Sequence, residues 1–247
     1  MWYEVRNFTL HVVKIKSAKR MKIQLTSDFS DFYDHWFCGA YEKPNRTFDR
    51  ASRTTMSKRQ QFQLLQEMGF NVPSHGTVTE VVERLAGTQQ EQSPPLTLVG
   101  YTDEFAHAGE GKIIRAYYYL ISEQPHLYCS EFIPTSEDTT ISISYRLLQV
   151  GDRAWWLKYE GRGSWMSNHA PDVTVEVLHE AHGFWDTGEE IRPKQHPLFA
   201  IDFVVPVGSE KKLAIDFNTA PGLKQTGMEE ILSAKECYEL IAEWMLL

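Results

Sequence analysis

Two similar strings near the C-terminal end constrain the fold more than any other part of the sequence. LFAIDFVV runs over 198–205 and KLAIDFN over 212–218, and the turn-forming segment PVGSEK separates them. Apolar and polar residues alternate in both strings, which predicts two antiparallel strands joined as a hairpin around Gly208 and Ser209. The fold must therefore contain an antiparallel sheet.

The predicted hairpin brings acidic residues together. If it is symmetric about Ser209, Asp202 lies opposite Asp216, and Asn218 shares their face. The other face then carries an apolar quartet, Ile201, Phe203, Ile215 and Phe217. Like charges directly opposite each other destabilise a sheet, so a Lys or Arg, a shared proton or a cation must neutralise them. Two carboxylates and an amide oxygen suit Mg²⁺, whereas an amphipathic hairpin that turns polar residues to solvent is the alternative.

Composition limits the classes of protein that this chain can belong to. Of its 247 residues 42% are hydrophobic, enough for one large domain or two packed ones. A net charge of -8 predicts no extended nucleic-acid surface, but a local basic cluster can still bind an anionic ligand. No stretch approaches the roughly 18 apolar residues of a membrane span, so we expect no membrane contact. Cys38, Cys129 and Cys237 are far apart and odd in number, which predicts reduced thiols in a cytoplasmic protein.

Capping patterns and alternation predict the fold class. Three capping boxes, the last of which opens a closing helix, are formed by Ser57 with Gln60, Thr77 with Glu80, and Thr226 with Glu229. From Leu96 onward strands dominate, and ISISYRLLQV and AWWLKY predict a second hairpin around Gly151. The predicted fold is α+β and mostly antiparallel. Gly-x-Gly-x-x-Gly and the longer Walker-type loop are both absent, so neither of these nucleotide folds is indicated.

The order Asp-Phe, hairpin, acid-x-Asn-x-x-Pro-Gly resembles the metal-binding end of the ATP-grasp superfamily, in particular its carboxylate–amine ligases of the ribosomal-protein-modifying and D-alanine–D-alanine ligase types. The resemblance runs from about Met56 to the C-terminus. It implies two antiparallel α+β subdomains with a nucleotide cleft between them. The implied parts are a short N-terminal α/β-type region at 1–56, an N-terminal subdomain at 57–130, and a C-terminal subdomain at 131–247 that holds the hairpin and the closing helix.

The same resemblance implies ATP and Mg²⁺ as cofactors and assigns roles to single residues. It implies that Asp202, Asp216 and Asn218 hold Mg²⁺, although the family usually has Glu at the position of Asp216. It implies catalytic contacts of Arg146 and Lys158 with phosphates or an acyl phosphate. The implied nucleotide-binding residues are Lys58 in TMSKRQQFQLLQEMGFNVPS, Lys112 after the glycine-containing loop, Glu131, Phe132 and Ile133 in the adenine hinge YCSEFIP, and Arg162 and Asn168.

The sequence departs from the family at two places. Most members carry a Lys on the strand before the glycine-rich loop, but LTLVGY has none, and Lys112 is the candidate replacement. The N-terminal region is also short for a substrate-binding domain. Either a second copy or a protein partner supplies the substrate contacts, or the chain is a reduced, divergent member.

Three functions stay open at this point. The resemblance implies an ATP- and Mg-dependent ligase that activates a carboxylate of a small-molecule or peptide substrate as an acyl phosphate for attack by an amine. The missing strand Lys and the Asp at 216 favour a degenerate relative that binds a ligand or partner without catalysis. A phosphotransferase that uses the same site without ligation is the third.

Overall fold

The computed structural model describes residues 9–14, 21–25, 40–42, 47–49, 56–86, 95–106, 109–181, 197–218, 221, 223 and 225–244. The strands in these residues form three sheets, and every strand pair in them is antiparallel. Four α-helices accompany them in the same part of the chain. The α+β, antiparallel fold class predicted from the sequence is therefore confirmed.

The three sheets follow one another along the chain. The first has the order β2-β1-β4-β3 and contains β1 (Thr9–Lys14), β2 (Met21–Leu25), β3 (Ala40–Glu42) and β4 (Thr47–Asp49). The second has the order β5-β8-β6-β7 and contains β5 (His75–Thr77), β6 (Thr97–Tyr101), β7 (Lys112–Ala116) and β8 (Tyr128–Glu131). The third has the order β11-β10-β9-β12-β13 and contains β9 (Ile141–Val150), β10 (Arg153–Arg162), β11 (Asp172–Glu180), β12 (Leu198–Val204) and β13 (Leu213–Asn218).

Three of the four helices in the described residues begin at a side-chain cap. They are α1 (Lys58–Glu67), α2 (Val78–Ala86), α3 (Tyr117–Glu123) and α4 (Ala234–Trp244). At α1 the Ser57 hydroxyl accepts from the Gln60 N–H at 3.2 Å, and the Gln60 side chain accepts from the Ser57 N–H at 2.8 Å. The box of Thr77 and Glu80 forms in the same way before α2. Both predictions are confirmed, and the first box fixes the turn that carries Lys58.

The third predicted capping box is wrong. Thr226 donates its hydroxyl to the Leu223 carbonyl at 2.6 Å, and a 3₁₀ turn, Met228–Glu230, follows. The closing helix α4 starts later, because Ser233 and Glu236 cap it reciprocally. Thr226 has the spacing of a cap, but it ends a turn and opens no helix.

The hairpin of β12 and β13 has the predicted register at its centre. Asp202 lies opposite Asp216, and Asn218 lies opposite Ala200, so the three polar residues share a face. A bulge between Asp202 and Phe203 then shifts the pairing, and Phe203 lies opposite Ala214. As a result Ala214 joins the core beside Phe203, in the place predicted for Ile215.

The five-stranded sheet is packed on both faces. One face buries Leu148 and Leu157 against Ile241 of α4. The other face buries Leu147 and Phe217 in a cluster that includes Phe62 of α1, while Phe62 also meets Tyr101 of the second sheet at a ring distance of 6.4 Å. Helix α1 therefore lies where the second and third sheets meet.

Two further expectations concern membranes and thiols. None of the helices in the described part of the chain has the length and apolar character that crossing a membrane requires. Cys129 and Cys237 are buried and form no disulfide within the described residues, as predicted, and Cys38 lies outside those residues. The acidic and aromatic segment 28–37 also lies outside them.

Candidate functional site

Arg146 and Asp202 form the buried centre of the site. The two residues lie directly opposite each other on β9 and β12. Arg146 donates from Nε to Oδ1 of Asp202 at 2.6 Å and from Nη2 to Oδ2 at 2.8 Å, and both side chains are under a tenth exposed. The guanidinium also donates to the hydroxyl of Tyr159 at 3.3 Å and lies 5.0 Å from the centre of its ring. This two-pronged pair fixes the Arg146 plane on one face of the sheet.

Lys58 reaches the acid pair of the hairpin from the first turn of α1. Its Nζ lies 2.6 Å from Oδ1 of Asp216 and 3.3 Å from Oε1 of Gln61. The ammonium also lies 5.4 Å from the ring centre of Phe62 and 5.7 Å from that of Tyr101. Lys58 is only 4% exposed, so it is not a solvated surface lysine. A residue expected at the nucleotide thus meets a residue expected at the metal.

The charges of the site act on one another. Burial alone would raise the pKa of the Asp216 carboxyl. The positive charges of Lys58, Lys112 and Arg146 outweigh burial and lower that pKa to about 2. Burial likewise opposes the charge of Arg146, but Asp202 raises the pKa of the guanidinium above its usual value. Both groups are therefore charged at neutral pH.

Lys112 reaches this region from the glycine-containing loop. It is the first residue of β7 and pairs opposite Tyr101. The loop before it adopts left-handed backbone conformations at Gly109 and Gly111, with φ of 80° and 64°. A Cβ at Gly109 would lie 3.1 Å from atoms of both His169 and Met166, so this loop lies close to the segment that follows β10. The loop thereby brings the charge of Lys112 close enough to act on Asp216.

No pattern in the sequence pointed to His169, which the fold adds to the site. It ends the 3₁₀ turn Ser167–His169, and the Ser167 hydroxyl lies 2.5 Å from that of Ser144 on the Arg146 face. Burial lowers the pKa of His169, and the nearby charges of Lys112 and Arg146 lower it further. These effects favour the neutral form of the imidazole. Asn168, a predicted nucleotide residue, is exposed in the same turn.

Two amides of the hinge after β8 bind the protein's own backbone. The N–H of Glu131 donates to the Ser74 carbonyl at 2.8 Å, and the N–H of Phe132 donates to the Thr97 carbonyl at 3.0 Å. These two N–H groups are therefore engaged, and the predicted contact of the hinge's backbone with a base stays a prediction. Burial raises the pKa of the Glu131 carboxyl. Ile133 is half-buried, and its nucleotide role stays a prediction.

Lys158 and Arg162 do not join Arg146. In the β9–β10 register Arg146 lies opposite Leu157, while Lys158 lies opposite Tyr145, so Lys158 projects from the other face of the sheet. Arg162, four residues on, shares that face. Both bind Glu160, at 3.4 Å and 3.1 Å. Strand parity therefore separates Lys158 from Arg146, and the predicted contact of Lys158 with phosphates or an acyl phosphate stays a prediction.

A divalent metal does not fit the carboxylates as the structure arranges them. Both oxygens of Asp202 accept from Arg146, and Oδ1 of Asp216 accepts from Lys58. Mg²⁺ demands near-octahedral oxygen ligands, and two side-chain cations already balance the two negative charges. Within the described residues no group of three or more His, Cys, Asp or Glu side chains could hold a metal ion. Of the three ways to neutralise this acid pair, the protein uses Lys and Arg.

Among solved structures, the fold of the chain is similar to those of several ligases. One such structure is the ATP-grasp ligase PsnB, complexed with a phosphomimetic variant of minimal precursor, Mg and ADP. It has 14% identity and a TM-score of 0.44 over 83% of this chain and 61% of that one.

Two other ligases match at the same level. The D-Ala:D-Ser ligase VanG of Enterococcus faecalis has 13% identity and a TM-score of 0.41 over 77% of this chain and 62% of that one. The D-alanine–D-alanine ligase of Coxiella burnetii has 14% identity and a TM-score of 0.44 over 78% of this chain and 58% of that one. The chain thus spans less than two thirds of the length of these structures. No protein-family model and no curated protein matches the sequence.

Proposed function

We propose that the protein binds ATP at this site and uses it to activate a carboxylate for attack by an amine. The observation that carries the proposal is the pairing of the acid pair with basic side chains: Lys58 lies 2.6 Å from Asp216, and Arg146 binds the opposite Asp202. The charge of Lys112, which follows a glycine-containing loop, also lowers the pKa of Asp216. Basic side chains and glycine-rich backbone are the groups that hold phosphates and the charge of a transferring phosphoryl group.

The proposed reaction has two steps. A substrate carboxylate oxygen attacks the γ-phosphorus of ATP, the bond to the bridging oxygen breaks, and an acyl phosphate and ADP form. The amine then attacks the acyl carbon, loses a proton and expels phosphate, which leaves an amide. The substrate is a small molecule or peptide with a free carboxylate, as the sequence resemblance implies.

Each basic residue has a proposed role. Lys112 contacts the phosphates from the start of β7 and replaces the Lys that β6 lacks. Arg146, held in plane by Asp202, stabilises charge on the transferring phosphoryl group. Lys58 also faces the phosphates. Lys158 and Arg162 have no part in this step because they lie on the other face of the sheet.

A second candidate function is binding without catalysis. The observation that favours it is that both carboxylates of the hairpin are already paired with side-chain cations. Adding ATP, a carboxylate panel and an amine panel distinguishes the two candidates. The first predicts ADP release that depends on both substrates, and the second predicts ATP binding with no ADP release.

Nucleotide binding itself is tested by thermal shift, since a ligand that binds only the folded state raises its melting temperature. We expect millimolar ATP to stabilise the wild type and to lose most of this effect with Lys112→Met. Lys211→Met is the matched control, because Lys211 is an exposed lysine next to the turn of the hairpin. No shift in the wild type, or an equal loss with Lys211→Met, would contradict the proposed site.

A further inference from the structure

The acid pair of the hairpin needs positive charge before any ligand binds. Asp202 and Asp216 lie directly opposite each other on neighbouring strands, and like charges in that position are destabilising. Arg146 neutralises the first through two hydrogen bonds, and Lys58 approaches the second to 2.6 Å. One guanidinium and one ammonium thus balance two carboxylates.

The structure holds Lys58 in this place by several contacts. Burying an ammonium is costly unless it is paired and hydrogen-bonded. Besides Asp216, the ammonium donates to Oε1 of Gln61, and the same oxygen lies 3.4 Å from the N–H of Phe217 on β13. Gln61 therefore ties α1 to the strand of the acid pair, and the ring faces of Phe62 and Tyr101 flank the charge.

The carboxylate oxygens of Asp202 and Asp216 cannot bind an ammonium and a divalent ion equally well. Lys donates three hydrogen bonds from a group fixed to the chain, whereas Mg²⁺ needs about six oxygen ligands at close range. Oδ1 of Asp216 and both oxygens of Asp202 already accept hydrogen bonds from cations. A metal between the two acids would have to displace Lys58 from a buried position.

We infer that Lys58 is a built-in cation that takes the place of a hairpin-bound metal, so that the protein binds ATP without a divalent ion at Asp202 and Asp216. The inference rests on the proposed nucleotide site. It predicts that removing the ammonium creates a metal site, because two carboxylates then share one guanidinium and carry a net negative charge.

A manganese titration without nucleotide tests this directly, with free Mn²⁺ followed by electron paramagnetic resonance. We expect Lys58→Met to bind Mn²⁺ more than about ten-fold tighter than the wild type, and Lys58→Met with Asp216→Asn to lose the gain. Lys58→Arg is the matched control, since it keeps the charge and should bind Mn²⁺ as weakly as the wild type. A folded Lys58→Met variant that gains no Mn²⁺ affinity overturns the inference.

A second measurement needs no variant and separates the inference from the proposed function. The affinity of the wild type for ATP is measured by calorimetry in excess EDTA and in excess Mg²⁺. Affinities within about three-fold of each other support the built-in cation, and a loss of more than about ten-fold in EDTA overturns it. If ATP binds in neither buffer, the proposed function fails, while the manganese titration still decides the role of Lys58.

Discussion

The strongest energetic prediction concerns the Arg146–Asp202 pair. Arg146→Met would leave the Asp202 carboxylate buried, about a tenth exposed, without the two hydrogen bonds it now accepts. Breaking a buried ion pair by removing one partner costs about 3–5 kcal/mol. For a chain of this size, that corresponds to a melting temperature lower by about 6–20 °C.

The same sheet offers a matched control with different burial. Arg153 binds Glu180 through the same two-pronged geometry, with both contacts at 2.7 Å, but its side chain is 40% exposed and that of Glu180 is 35% exposed. Solvent screens such a pair, which is worth about 0–1 kcal/mol. Arg153→Met should therefore lower the melting temperature by no more than about 4 °C.

Both variants are compared with the wild type by circular dichroism melts and urea unfolding at neutral pH. Adding Asp202→Leu to Arg146→Met should recover at least half of the lost stability, because it removes the stranded charge. Equal losses for Arg146→Met and Arg153→Met would refute the claim that burial makes the first pair critical. Failure of the double variant to recover would do so as well.

Three further predictions concern pH, packing and thiol chemistry. Because the pKa of Asp216 is lowered to about 2, its stabilising contribution is present above the unfolded value of 3.8 and is lost as pH falls toward about 2. Urea melts over that interval should thus show a shallower pH dependence for Asp216→Asn, and parallel curves would contradict it. Gly161→Ala should cost about 1–3 kcal/mol in urea unfolding, because its Cβ would lie 2.5 Å from the Ser167 carbonyl oxygen; an unchanged stability would speak against this packing. Burial raises the pKa of Cys129 to about 12, so peptide mapping should find it alkylated by iodoacetamide only in denaturant, and labelling of the native protein would show that the thiol is accessible.

Local patterns predicted the hairpin well. Alternation and turn residues placed Asp202 opposite Asp216, and the spacing of Ser57 and Gln60 located the start of α1. These features depend on neighbours a few residues apart. The bulge beside Asp202 was not predictable in this way, because its effect is to bring Ala214 into a core formed by distant elements.

Contacts between distant segments could not be predicted from the sequence. Lys58 and Asp216 are separated by 158 positions, and only the packing of α1 against β13 brings them together. His169 likewise gains its neighbours from the tertiary fold. The side of the sheet on which Lys158 lies, in contrast, could be predicted from the sequence. A hairpin that is symmetric about the turn at Gly151 and Asp152 puts Lys158 opposite Tyr145.

A crystal structure of the protein with a non-hydrolysable ATP analogue would show where the nucleotide binds. We expect the phosphates to lie beside the glycine-containing loop, within hydrogen-bonding distance of Lys112 and of Lys58 or Arg146. We also expect Asp202 to keep its pair with Arg146. An analogue bound elsewhere, or phosphates that contact none of the three basic residues, would contradict the proposed nucleotide site.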